Sequence, residues 1–325
     1  MIIFLTHPMH GYTHIQLKDR KDLPVIECRS YRWLLNRKTL PRATYIFTDR
    51  ERMDAWEVRV FGAFARHLAA AGPGYRVVGD PGRMMSRRTL LRALHARGIN
   101  DFNAYALAEC RNPERFPVFL RREHDHAAPI SGLLYSQEEL EAAIKEMDER
   151  GEPEEGVIII EFCAEPVHGD LYRKLAAYRV GKEVLFFNTV HERSWLVKYG
   201  TRNSATDTLY QEEQEMITSN AFSEQLRRAF DIGRIEYGRA DFGLVDGRVQ
   251  IYEINSNPQT VPPAGHPNPI RSRNIQLGWD RYCAALTALD TTDSRAPFAP
   301  PFEHSTLRGR RMPHGRMLRG RFVNR

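Results

Sequence analysis

Residues 238–258 read Gly238-Arg-Ala-Asp-Phe-Gly-Leu-Val-Asp-Gly-Arg-Val-Gln-Ile-Tyr-Glu-Ile-Asn-Ser-Asn-Pro258, two apolar runs on either side of Asp246-Gly247. An Asp-Gly pair between such runs is a strong short-range signal for a β-hairpin. Strand side chains alternate faces, so Glu253 and Asn255 share one. Where Asp241 points depends on the loop. If Asp246 and Gly247 alone form it, Asp241 stands opposite Tyr252 and faces away from Glu253. A three-residue loop, a type I turn followed by a left-handed Gly247 in a bulge, instead pairs Asp241 with Glu253 and gathers all three oxygen-bearing groups. That gathered arrangement is the one expected here. Two carboxylates and an amide are hard ligands of the kind Mg²⁺ takes alongside waters and substrate phosphates. The competing reading is an amphipathic hairpin with its polar face in water. Ala240, Phe242, Ile251 and Ile254 around the acids favour a half-buried sheet instead.

The D-x11-E-x-N spacing followed by Asn257-Pro258 resembles the last two strands of the ATP-grasp superfamily, which includes glutathione synthetases, D-alanine:D-alanine ligases and ribosomal-protein glutamate ligases. The resemblance implies an α/β protein with an ATP-grasp fold and an N-terminal parallel α/β domain. It also implies that Asp241, Glu253 and Asn255 hold Mg²⁺, or Mn²⁺ in its place, against the phosphates of ATP. The family pattern covers about residues 75–265. It divides the chain into a preceding α/β domain (1–82), a small ATP-clamping lobe (83–160), a large lobe with the metal site (161–290) and a tail (291–325).

Bulk properties fit a folded enzyme. The 325 residues are 42% apolar and 27% charged, an ordinary composition for a protein with two or three cores. No apolar run approaches the length of a membrane span, and the N-terminus lacks the pattern of a secretory leader, so a cytoplasmic location without a membrane partner is expected. Cys28, Cys110, Cys163 and Cys283 have no C-x-x-C spacing, which argues against a zinc site or a disulfide framework. The net charge of +6 is local in origin. Residues 305–325 hold seven arginines and no acid, which leaves 40 basic against 41 acidic groups in the rest. With Pro297, Pro300 and Pro301 before it, this segment reads as a disordered basic tail. Nucleic acid is not expected as a partner except through that tail.

Along the body, strands and helices alternate. Strands at 2–6, 43–48 and 75–78, with helices capped at Asp54 and Ser86, imply a parallel sheet. Phe116–Arg121 reads as a strand leading into the loop Glu123-His-Asp-His-Ala-Ala-Pro129, then Leu133–Tyr135 and a helix capped by Ser136. Val157–Phe162 is a strand, 172–190 a hairpin turning at Gly181-Lys182, and 208–231 and 270–289 are helical.

By resemblance, further residues take roles. Arg121 stands where the family has a phosphate-binding Lys, and the loop after it lacks the usual glycines. Glu161 and Phe162 match the hinge along the adenine edge, Glu165 the ribose ligand, and Lys198 a nucleotide-approaching lysine. Arg179 matches an arginine that serves phosphate or acceptor, and Arg239 is a candidate with it because each lies in a strand entering the expected site. His124 and His126 are candidate phosphate donors or plain loop residues. His7, His10 and His14 have a spacing that suits a metal only on a helix, which Pro8 and Gly11 oppose; a substrate-facing loop is the alternative.

These assignments imply an ADP-forming ligase that activates a carboxylate as its acylphosphate and passes it to an amine or thiol. The expected partners are small-molecule or peptide carboxylate and amine acceptors, and a homo-oligomer is compatible. A small-molecule kinase of the same fold and a nucleotide-binding regulator without turnover are the alternatives. No Walker A loop, G-x-G-x-x-G fingerprint or Ser-His-Asp pattern points to other chemistry.

Overall fold

Strand β1 (Ile2–Thr6) is buried along its whole length, as a central strand covered on both faces must be. It lies between β2 (Ile26–Ser30) and β3 (Ala43–Phe47), with β4 (Tyr75–Val78) beyond, in a parallel sheet of order β2-β1-β3-β4. The structure, a computed structural model, describes residues 1–37, 39–125, 127–202 and 204–290. The expected tail at 305–325 and His126 lie outside these residues.

Helix α1 (Tyr31–Leu35) follows β2, and α2 (Ala55–Ala70) follows β3. Asp54 starts α2 through the expected capping box with Glu57, a device worth about 1 kcal/mol. One sheet face, Ile3, Leu5, Tyr45 and Phe47, packs on Phe61, Phe64 and Leu68 of α2. Strand β2 went unread in the sequence because Ile-Glu-Cys-Arg-Ser at a sheet edge buries only its first residue.

Helix α3 (Arg87–Ala96) leads to the small lobe, an antiparallel sheet of β5 (Ala104–Ala106), β7 (Val157–Glu161) and β6 (Val118–Arg122), backed by α4 (Gln137–Glu149). The run Leu133–Tyr135 makes one bridge, Leu134 to Val118, and no strand. The large sheet has the order β10-β9-β11-β12, with short β8 (Pro166–His168) on β9. Its strands are β9 (Leu171–Val180), β10 (Glu183–Glu192), β11 (Tyr237–Val245) and β12 (Arg248–Asn255).

One face of this sheet packs on α6 (Ser223–Gly233), α3 and Ile217 of α5 (Asp207–Ser219). On the other, Tyr178 and Tyr237 join Ile2, Phe4 and Ile46 of the N-terminal sheet around Trp279, Tyr282 and Leu286 of α7 (Pro269–Leu289). A shared apolar core resists separation of the two units, because opening it would expose these aromatics to water. The observed class is thus the expected one, α/β with a parallel N-terminal sheet and two antiparallel sheets after it. The cleft between the small and large sheets holds the candidate site.

Candidate active site

Asp241 pairs directly with Glu253, and Arg239 with Asn255. The gathered face is therefore real, but the device that makes it differs from the one expected. Asp246 and Gly247 alone form the loop, at φ 50° and 73°, the positive values of a type I′ turn. From Val245↔Arg248 the register runs regularly to Phe242↔Ile251, then slips one residue before Asp241↔Glu253. Tyr252 is the extra residue. The bulge sits inside β12, and it turns the acids onto one face while seating the Tyr252 ring against Phe102 at 6.4 Å between centroids. Gly243 makes room, since a Cβ there would lie 2.0 Å from the Tyr252 hydroxyl. Burial raises the Tyr252 pKa.

Each of the three candidate ligands is held. Asp241, 4% exposed, accepts from Arg239 Nε at 2.8 Å and Nη2 at 3.2 Å, and Lys174 Nζ stands 3.0 Å away. Glu253 accepts from Arg87 Nη2 at 2.5 Å. Asn255 Oδ1 accepts from the Asn257 N–H at 2.8 Å. Buried carboxylates need compensating charge, and here arginine and lysine supply it. The Arg239 pKa is raised, Asp241 being the main cause. Among the described residues no three of His, Cys, Asp and Glu gather as a metal cluster, so the fit to a divalent cation rests on two acids plus the Asn255 amide. All are oxygen donors on one sheet face, a set suited to Mg²⁺ once the cations yield to it.

Beside this face lies a cavity of about 160 Å³. Its lining includes Phe119, Phe162, Cys163, Ala164 and Trp195 as well as Arg121, Lys174, Lys198, Asp241 and Glu253. Trp195 lies 5.1 Å from Phe119 and meets Phe162 edge-on at 5.9 Å, the geometry of favourable aromatic contacts. The Arg121 Nε is buried with no hydrogen-bond partner, and burial, then repulsion from Arg87, lowers its pKa. A buried guanidinium nitrogen without an acceptor is costly, and a further anion drawn to the group would offset its burial.

The structure separates the residues read from sequence. Asp241, Glu253, Arg121, Glu161, Phe162 and Lys198 line the cavity, while Asn255 and Arg239 stand on the same sheet face beside it. Arg179 does not join them. It lies on the opposite face, with Nη1 2.5 Å from Asp231 of α6 and Nε donating to the Gly181 carbonyl, because it is one residue out of phase with Tyr178 and Lys174. The Glu161 carboxylate is also spent elsewhere, accepting from Asn103 N–H, Tyr105 O–H and Arg115 N–H. Phe162 N–H donates to Pro117. Glu161 and Phe162 line the cavity together with Cys163 and Ala164. Glu165 is exposed and outside the cavity lining. Among the histidines, His14 is buried with Nε2 2.8 Å from Asn257 Oδ1 and Nδ1 3.2 Å from Thr260; burial lowers its pKa to about 3. It is a core residue fixing the segment after the hairpin.

Three participants were not read from sequence. Trp195 and Lys174 gave no signal beyond a loop aromatic and a strand lysine. Arg87, on the first turn of α3 with its side chain 7% exposed, binds Glu253 through one nitrogen and the carbonyls of Arg122, Glu123 and Asp125 through the other, at 3.2, 3.0 and 2.9 Å. Ser86 Oγ adds a 2.6 Å bond to Glu123. The glycine-free loop after β6 is thereby clamped to the acid face.

No family model matches this chain, and no curated protein does. Among solved structures, it is similar to D-alanine–D-alanine ligase from Bacillus anthracis, at 12% identity over 87% of this chain and 98% of that one, with a TM-score of 0.49. The same enzyme complexed with ATP gives 12% identity, 89% and 95% coverage and 0.48. A RimK domain protein ATP-grasp from Sphaerobacter thermophilus gives 11%, 89% and 99%, and 0.44. At this depth of likeness, function is argued from the site's own geometry.

Proposed function

We propose that the chain is an ATP-grasp enzyme that binds Mg-ATP in the cleft and activates a carboxylate for capture by an amine or thiol, releasing ADP and phosphate. The observation that carries this reading is the acid pair Asp241–Glu253, set by a bulge onto the face of Asn255 and opening on a cavity lined by aromatic rings and by cations.

Adenine is placed among Phe119, Phe162 and Trp195, where a planar ring exchanges water for aromatic surface. The backbone of Cys163 and Ala164 gives its polar edge partners. Phosphates then extend toward Arg121, Lys174 and Lys198, whose charge offsets theirs. Asp241, Glu253 and Asn255 are the residues that would hold Mg²⁺, which would supply charge neutralisation for phosphoryl transfer. Arg87, Arg239 and Lys174, which hold the two carboxylates here, would be the cations available to anions with the acids engaged elsewhere. Arg121 stabilises the charge spread over the transferring group. No base is needed to activate a carboxylate, already an anion, for attack on phosphorus.

The test is twofold. Mg-ATP should bind the full chain and quench Trp195 fluorescence, and Trp195→Phe should lose most of that signal. For the reaction class, free phosphate should appear only when carboxylate and amine acceptors are both supplied. A stable phosphate ester formed from one acceptor would identify a kinase instead, and binding without turnover a regulator.

A further inference from the structure

Between β10 and α5 the described residues of 193–206 form no helix or strand, yet this loop supplies a good part of the cleft wall. Trp195, Leu196, Val197 and Lys198 all line the nucleotide cavity. Trp195 reaches across to Phe119 of the small lobe and to Phe162. Little apolar packing holds the loop down, since Val197 is the one buried side chain of residues 193–200. Tyr199 is 81% exposed, and Arg193 pairs with Asp170 at the surface. A segment of this kind keeps its shape through whatever satisfies its backbone N–H groups.

Here that is a single carboxylate. Glu192, the last residue of β10, accepts on Oε1 from three successive amides, Lys198 N–H at 3.0 Å, Tyr199 N–H at 2.7 Å and Gly200 N–H at 2.6 Å. Bonds to an ionised acceptor are the stronger kind, and successive N–H groups turn toward one point where the backbone curls through a left-handed residue. Gly200, at φ 83°, is that residue. Just past it, Thr201 N–H and Ser204 Oγ donate to the His191 carbonyl at 2.8 and 3.0 Å, which fixes the far side of the curl to β10. The peptide so held is also tied to the acid face. Lys174 Nζ, 3.0 Å from Asp241, donates to the Lys198 carbonyl at 3.4 Å.

We infer that Glu192 is a positioning residue for nucleotide binding, its carboxylate holding residues 194–200 in the shape that sets Trp195 and Lys198 at the cavity. The inference rests on the nucleotide reading above, which assigns those two side chains to the base and the phosphates. Its consequence is a shift of population. With the loop freed, only a fraction of molecules have both side chains in place, and the apparent affinity for nucleotide falls by that fraction. The sign separates this from an effect of charge alone. Removing a negative group near a site for a polyanion strengthens binding by Coulomb attraction, whereas losing the anchor weakens it.

Calorimetric titration of the full chain with AMP-PNP and Mg²⁺ tests it, beside hydrogen exchange of amides 198–200 in the nucleotide-free chain. In Glu192→Ala these amides should exchange about tenfold faster, and AMP-PNP should bind about tenfold more weakly. Glu192→Gln keeps an acceptor oxygen without the charge and should fall between Ala and wild type in both. Gly200→Ala leaves the carboxylate charged and disturbs the donors instead, because a side chain is strained at this φ, and it should weaken AMP-PNP in the same direction. The Trp195 share of the emission, taken as the difference from Trp195→Phe in each background, should shift to the red in Glu192→Ala as the ring leaves Phe119 for water. AMP-PNP binding to Glu192→Ala as tight as to wild type, or tighter, would overturn the inference, and so would unchanged exchange. If wild type binds no AMP-PNP, the nucleotide reading fails and this role goes with it, while faster exchange in Glu192→Ala would still mark Glu192 as the anchor of the loop.

Discussion

Arg179 and Arg239 are near neighbours in the ladder of the large sheet, since Arg179 pairs with Gly238 and Tyr178 with Arg239, yet they do opposite things. Arg239 lies against Asp241 on the acid face, whereas Arg179 crosses to Asp231 on the helical side. Both looked alike as arginines in strands entering a site. The pleat separates them, because a shift of one residue moves a side chain to the other face. The lesson extends to Glu161 and Glu253, two acids near strand ends. One is satisfied by two N–H groups and a tyrosine hydroxyl, and the other by the Arg87 guanidinium.

The largest effect expected from breaking this contrast is at the acid pair. Asp241→Asn and Glu253→Gln keep shape and remove charge, so turnover should fall by roughly three powers of ten or more while the circular dichroism spectrum stays that of wild type. A fully active Glu253→Gln enzyme would sink the metal assignment.

Next come the arginines. Arg121→Ala should lower kcat/KM for ATP by about one to three powers of ten, the loss of a charge-assisted contact, with Arg121→Lys restoring part. Arg239→Ala should fall in the same range, whereas Arg179→Ala should stay within about twofold, as expected of an ion pair with an exposed aspartate. Equal losses at Arg179 and Arg239 would mean that the two faces are coupled.

Smaller still is the effect predicted for Arg87. Its removal frees the carbonyls of residues 122, 123 and 125, so amides of the loop after β6 should exchange hydrogen faster in Arg87→Ala by about tenfold, a loss of one to two hydrogen bonds. Unchanged exchange would show that Ser86 and Arg88 hold the loop alone.

A separate test lies at His14, which stacks on Phe4 and meets Tyr237 edge-on. Its folded pKa of about 3 is below the ordinary 6.5. Between these values the unfolded chain binds a proton that the native state refuses, so stability is intact above pH 6.5 and declines as pH falls. The slope is about 1.4 kcal/mol per pH unit at most, until the folded group itself titrates. Urea titrations at pH 7 and pH 5 should show this loss in wild type and less of it in His14→Asn.

Period-two apolar runs, capping residues and an Asp-Gly turn were enough to place most elements, the α/β class and the acid hairpin, because these are local preferences acting within a few residues. That Glu253 and Asn255 share a face was legible for the same reason, whereas Asp241 joins them only through the bulge. Only the folded chain decided the rest. The bulge at Tyr252 depends on a ring finding room over Gly243 and beside Phe102, contacts between segments far apart in sequence. Arg87 reaches Glu253 across 166 residues, and Trp195 reaches Phe119 across the cleft. Sequence spacing fixes which face a strand residue takes as long as the ladder is regular. Where a bulge breaks it, or where a charge chooses among several partners, packing and the cost of burying an unpaired ion make the choice.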